Sequence, residues 1–181
     1  MVYPQVESAV DVAYWFFDKA SDENKILDEN KMQALLFWSL LTYAKAYNRE
    51  MLFPALFVCD DEGFYEPNLK KILELGRPFL PRGKFTPKIT DFLNEMWKKY
   101  SAKSFAELQK IIRTSCVYKE NAKNGAKVLV DFHSIVESLN KSSIIADDDG
   151  NRNKPKVLLS QHGPVIVSPW KPRKVSSHSK S

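Results

Sequence analysis

Apolar residues recur at helical spacing along most of the first 140 residues. The strongest pattern is KMQALLFWSLLTYAKAY at Lys31–Tyr47, where no charge interrupts the stretch from Ala34 to Ala44. A helix that spans a bilayer needs roughly 20 apolar residues, so this run is too short. We predict the central helix of a buried core, with Asp28 as its N-cap. The alternative is a core helix with one edge facing a partner.

Shorter patterns predict the remaining elements. A Thr86-Pro87 start and a capping box at Ser104–Glu107 each mark the beginning of a helix. Turn residues at Asp60–Glu62 separate two short aromatic runs and favour a hairpin. The predicted fold class is mainly α, with about five to six helices in a compact domain and a small β-hairpin. The other predicted helices lie near residues 5–20, 67–75 and 125–140.

The composition changes at Asp147. Residues 150–181 contain seven lysines and arginines and no acidic residue, which leaves 20 basic and 22 acidic residues in the rest of the chain. We therefore predict a nearly neutral helical domain at 1–146 and a linker with a basic C-terminal tail at 147–181. Two apolar runs permit a short hairpin at 156–168.

The residue types that form catalytic and metal centres do not occur at characteristic spacings in this sequence. His133, His162 and His178 lack metal-ligand spacing, and the six glycines form no phosphate-binding loop. Cys59 and Cys116 have no short spacing, which favours reduced thiols. We expect a cytoplasmic protein that is not an enzyme, has no cofactor or metal and does not bind a membrane.

Two blocks of sequence together resemble the SocA-like, or Panacea, antitoxin domain. The first is Lys31-Met-Gln-Ala-Leu-Leu-Phe-Trp-Ser-Leu-Leu-Thr-Tyr-Ala44 followed by Met51-Leu-Phe53, which is similar to the signature helix of that family. The second is Met96-Trp-Lys-Lys-Tyr-Ser-Ala-Lys-Ser-Phe-Ala-Glu-Leu108, which is similar to a later family segment. The resemblance covers about residues 5–125 and rests on the order and spacing of the blocks.

The sequence departs from the family pattern in two places. Where the family has Ala-Trp and then Gly-Pro-Val, Val58–Tyr65 reads VCDDEGFY and keeps only Gly63. The later family histidine is also missing from Thr114–Tyr118. These departures imply a different partner or an altered activity.

The resemblance implies a non-enzymatic antitoxin or proteolytic adaptor that binds a cognate toxin or another protein. The candidate partner-binding residues are Gly63, Phe64, Tyr65 and Trp97, because aromatic side chains often anchor interfaces. The alternative is an adaptor that binds RNA or DNA through its basic tail. In that case an aromatic ring among cations would stack on a base, and the residues involved are Trp170, Lys171, Arg173 and Lys174.

Overall fold

The prediction of a mainly helical fold is confirmed by a computed structural model of the chain. The structure describes residues 3–75, 84–122, 126–150, 156–160 and 163–167, with side chains only as far as residue 142. This part contains seven helices, a three-stranded antiparallel sheet and a separate hairpin. The helices are α1 (Ala9–Asp22), α2 (Glu29–Ala46), α3 (Pro67–Glu74), α4 (Pro87–Tyr100), α5 (Phe105–Thr114), α6 (Cys116–Asn121) and α7 (Phe132–Gly150). The strands are β1 (Leu56–Asp60), β2 (Gly63–Tyr65), β3 (Val128–Asp131), β4 (Lys156–Ser160) and β5 (Gly163–Val167).

Helix α2 is the central core helix, as its sequence predicts. The Asp28 carboxylate caps it by accepting a hydrogen bond from Lys31 N at 2.9 Å. The helix contacts α1, α4, α5 and β2, so its apolar side chains are covered on several sides. Its fully buried apolar residues are Met32, Leu35, Leu36, Phe37, Leu40, Leu41, Tyr43 and Ala44. In the part of the chain that the structure describes, no helix is long and apolar enough to cross a membrane.

The predicted hairpin is present and lies at one edge of a small sheet. The strand order is β2-β1-β3, and both pairings are antiparallel. Side chains alternate between the two faces of a strand. On the face of β1 toward α2, the side chains are Phe57 and Cys59, and both are fully buried. The Phe57 ring meets the Phe37 ring edge to face at 5.2 Å, which joins the sheet to α2.

The helix predicted at 125–140 is wrong at its beginning. Val128–Asp131 forms strand β3, which pairs with β1 from Val128 opposite Cys59 to Asp131 opposite Leu56. The Val-Leu-Val segment suits a strand once a partner strand is available. Helix α7 begins only at Phe132, and Asp131 Oδ1 caps it by accepting hydrogen bonds from Ser134 N and Oγ.

The start of α1 differs from the prediction, whereas α4 begins at Pro87 as predicted. Helix α1 begins at Ala9 rather than near residue 5, because the backbone of Val6 is hydrogen-bonded to Leu52 O at 2.9 Å. Thr86 occupies the cap position of α4 but makes no side-chain capping bond. The capping box between Ser104 and Glu107 is present at the start of α5, as predicted.

The chain divides into two compact units, Met1–Asn140 and Lys141–Ser181. The first unit holds the hydrophobic core. In the second unit, β4 and β5 pair as an antiparallel hairpin from Lys156 opposite Val167 to Ser160 opposite Gly163. Asp147 to Gly150, where the sequence suggested a linker, form the end of α7.

Candidate functional site

A surface cleft of about 260 Å³ lies between the start of α2, the β1–β2 hairpin and α5. Three of the four predicted partner-binding residues, Gly63, Phe64 and Tyr65, border it. Its remaining walls combine apolar side chains with both signs of charge. They are formed by Glu29, Asn30, Gln33, Ala34, Asp60, Glu62, Lys70, Phe105, Gln109, Ile112 and Lys127.

A buried pair of hydrogen bonds joins the wall from α2 to the end of the hairpin. Gln33 Oε1 accepts a bond from Glu66 N at 2.9 Å, and Gln33 Nε2 donates to Glu66 O at 3.3 Å. Both residues are only 4% exposed. The Glu66 carboxylate in turn caps α3 by accepting from Leu69 N at 2.5 Å and Asn68 Nδ2 at 3.0 Å. One glutamine therefore positions both β2 and α3.

Phe64 forms part of the cleft floor and is a core residue. Its ring stacks on Phe37 with centroids 3.8 Å apart and planes 6° from parallel. Its exposed fraction is 5%, and the edge of Tyr118 lies 6.0 Å away. The floor is therefore held rigidly against α2 rather than free to move.

The hairpin turn is tied down at several points. Asp60 Oδ1 accepts bonds from Glu62 N at 2.9 Å and Gly63 N at 3.2 Å, and Gly63 has a φ of 137°, which favours glycine. Gln109 Nε2 donates to Glu62 O, and Arg113 donates to Asp61 O. Because these bonds fix the turn to α5, the cleft keeps its shape without a partner.

Tyr65 is the partly exposed aromatic residue of the predicted set. The Lys70 ammonium lies 5.5 Å from its ring centroid, and the Lys127 ammonium lies 6.0 Å from it. Both distances suit cation–π attraction. Among the described residues, neither lysine forms an ion pair with a carboxylate. Tyr65 is thus an aromatic surface bordered by two positive charges.

Trp97, the fourth predicted residue, does not join the other three. It is 3% exposed and contacts the Phe16 ring at 6.2 Å in the core between α1 and α4. It borders a different cleft, beside Glu23 and Lys25, whose ammonium is 5.4 Å from the Trp97 ring. The structure therefore places Trp97 as a packing residue. Trp170, Lys171, Arg173 and Lys174 lie outside the described residues.

A third cleft, of about 470 Å³, lies near the start of α7 and is mostly apolar. Arg49 at its edge donates to Asn140 Oδ1 at 3.1 Å and so connects the end of α2 to α7. His133 is exposed there, and Asp131 is occupied in capping α7. No predicted site residue borders this cleft.

The described residues hold no group of three histidine, cysteine or acidic side chains arranged to bind a metal ion. Burial raises the pKa of the Cys59 thiol to about 11, with smaller contributions from Asp60 and Asp61. A thiol with that pKa is protonated at neutral pH and is a poor nucleophile.

The sequence reasoning missed Gln33, Lys70 and Lys127. Gln33 carried a recognisable signal, because it is a polar residue within an otherwise apolar helix. A buried polar group of that kind requires a hydrogen-bond partner. The two lysines carried no such signal, since only the folded chain brings them to Tyr65 from α3 and from the segment before β3.

Comparisons of the chain with protein-family models, curated proteins and solved structures find no match. The resemblance to the SocA-like domain therefore stays a prediction.

Proposed function

We propose that this chain is a non-enzymatic protein-binding domain of the antitoxin or proteolytic-adaptor type, and that its partner binds in the cleft at Tyr65. One observation carries the proposal: the two blocks that resemble the SocA-like domain border the same cleft. The first block contributes Gln33 and Ala34, and the second contributes Phe105. The divergent segment Gly63–Tyr65 lies between them.

The physical character of the cleft supports protein binding. An anchor residue is most effective where it is aromatic and its surroundings are already ordered, because little conformational entropy is then lost on association. Tyr65 meets both conditions, since the adjacent Phe64 is stacked on Phe37 and Glu66 is held by Gln33. Occlusion of a toxin surface by such a site would require no catalytic group.

The test is affinity purification of the full-length tagged chain from its native cell with nuclease treatment. Mass spectrometry would then identify what remains bound. We expect one near-stoichiometric protein that is retained by the wild type and by the control Tyr3→Ala, since Tyr3 is 73% exposed and does not border the cleft. Tyr65→Ala should weaken its binding by about 2 kcal/mol, or about thirtyfold in Kd.

A second variant distinguishes a loss of binding from a loss of the folded structure. Glu62→Arg changes an exposed residue at the cleft rim and should also weaken the complex, while its thermal unfolding stays close to that of the wild type. A partner that binds both cleft variants as tightly as the wild type would refute the assignment of the cleft. Recovery of no stoichiometric protein would refute the function itself.

The alternative function, nucleic-acid binding through the tail, is supported by the seven basic residues at 150–181. Phosphate contacts by several lysines and arginines give strongly salt-dependent binding. Replacing Trp170, Lys171, Arg173 and Lys174 by alanine in the full chain should then abolish RNA or DNA binding. Nucleic acid as the sole companion of the purified chain, lost in this variant, would favour the alternative.

A further inference from the structure

The charges that border the Tyr65 cleft are separated along β2. Glu62 lies in the turn before the strand, and Tyr65 with its two lysines lies at the other end. Three residues of extended chain span roughly 10 Å. The cleft is therefore negative near Glu62 and positive near Tyr65.

The positive end has unused binding capacity. An ammonium group can donate three hydrogen bonds, and the contact described for both Lys70 and Lys127 is with the Tyr65 ring. Two ammoniums that lie within 6.0 Å of one ring centroid, and that form no ion pair with a described carboxylate, make a favourable position for an incoming carboxylate.

The negative end is formed by Glu62, and Glu29 from the first turn of α2 borders the same cleft. Neither carboxylate forms an ion pair with a described residue. Asp60 contributes less, because its Oδ1 already accepts two backbone hydrogen bonds from the turn. A cation of a partner would be favourable beside Glu62, whereas a second carboxylate would be repelled.

Apolar side chains also border the cleft, beside the polar Asn30 and Gln109. The apolar part of its lining comes from Ala34, Phe64, Phe105 and Ile112. Small apolar residues between the two charges of a partner would fit beside these side chains at little cost in hydration.

We infer that the cleft binds a short extended segment of a partner protein in which a carboxylate and a cation are three residues apart, with the carboxylate at the Lys70 and Lys127 ammoniums beside Tyr65 and the cation beside Glu62. This inference rests on the proposed function and specifies the chemistry of the partner. The charges set the direction of the segment, since reversal would place like charges together at both ends.

The test uses labelled, acetylated and amidated tetrapeptides with the full-length chain, measured by fluorescence anisotropy. The probes are Glu-Ala-Ala-Lys, Lys-Ala-Ala-Glu, Glu-Ala-Ala-Glu, Lys-Ala-Ala-Lys and Gln-Ala-Ala-Gln. We expect one of the two mixed-charge peptides to bind at least about tenfold more tightly than the other four. Equal binding of the neutral peptide, equal binding of a like-charged peptide, or binding of none would overturn the inference.

Paired substitutions locate the binding. Lys70→Glu with Lys127→Glu should weaken binding of the preferred peptide by at least about tenfold. The control is Lys71→Glu with Lys110→Glu, which changes the net charge equally at exposed lysines of α3 and α5 outside the cleft. Because the basic tail is the same in both variants, binding that is kept in both would place the peptide on the tail, and an equal loss in both would show a dependence on net charge alone. Either result would overturn the inference.

The proposed function can survive failure of this inference. A native partner that is lost with Tyr65→Ala but kept by the Lys70→Glu, Lys127→Glu variant would retain the cleft as the binding surface and reject the charge pattern. A partner kept by both variants would reject the cleft.

Discussion

The side-chain amide of Gln33 bonds to both backbone polar groups of Glu66, at 2.9 Å from Glu66 N and 3.3 Å to Glu66 O. The Gln33 amide thus forms a pair of hydrogen bonds with the backbone just after β2, as a residue of a neighbouring strand would. Because Glu66 also caps α3, this pair connects three elements that border the Tyr65 cleft.

Gln33→Ala is expected to destabilise the fold by about 2 kcal/mol, because it leaves the buried N–H of Glu66 without a partner. Urea unfolding monitored by far-UV circular dichroism would measure this change. The control is Asn30→Ala, an exposed position of the same helix, which should alter the free energy of unfolding by less than about 0.5 kcal/mol. Equal effects of the two substitutions would contradict the structural role of Gln33.

Gly63→Ala is expected to destabilise the protein by about 1–3 kcal/mol through backbone strain. The φ of 137° at Gly63 is unfavourable for any residue with a Cβ, yet a Cβ there would meet no atom within 4 Å. The cost therefore comes from the backbone conformation and not from a clash. Thermal unfolding of Gly63→Ala and of the control Glu62→Ala, at the exposed neighbouring position, would measure this cost. Equal melting temperatures for the two variants would argue against strain.

Cys59 is expected to resist alkylation in the native protein. Its pKa of about 11 leaves only about one thiol in a thousand ionised at pH 8. The residue is also completely buried, with an exposed fraction of 0%. Iodoacetamide labelling of a Cys116→Ser variant, followed by mass spectrometry, isolates this thiol. Modification should occur only in denaturant, and rapid native labelling would disprove the burial.

The cap of α7 should make a pH-dependent contribution to stability. Hydrogen bonds from Ser134 N and then Ser134 Oγ lower the pKa of Asp131 below its ordinary value. The contribution is therefore complete above the ordinary carboxyl pKa of about 3.9 and is lost as the pH falls through the lower folded value. Urea unfolding of the wild type and Asp131→Ala should show a difference that narrows at acidic pH. A constant difference from pH 7 to pH 2 would rule out the ionised cap.

Much of the helical framework was readable from local sequence. The Asp28 cap, the Ser104–Glu107 capping box and the apolar stretch of α2 are interactions between residues close in the chain. Such signals need no tertiary partner, which is why the class of fold and the position of α2 were predictable. The turn at Asp60–Glu62 is equally local, and it placed the hairpin.

Contacts between distant segments decided the remainder. Val128–Asp131 became a strand because β1 was there to pair with it, and its apolar periodicity alone also fitted a helix. Trp97 is buried because α1 and α4 meet at its ring, which is a contact between residues far apart in the sequence. The cleft itself depends on folding, since Lys127 reaches Tyr65 and Gln33 reaches Glu66 across separations that no local pattern encodes. Sequence by itself determined most of the helices and the caps at Asp28 and Ser104, whose energies are local. Tertiary structure alone decided which side chains share the cleft.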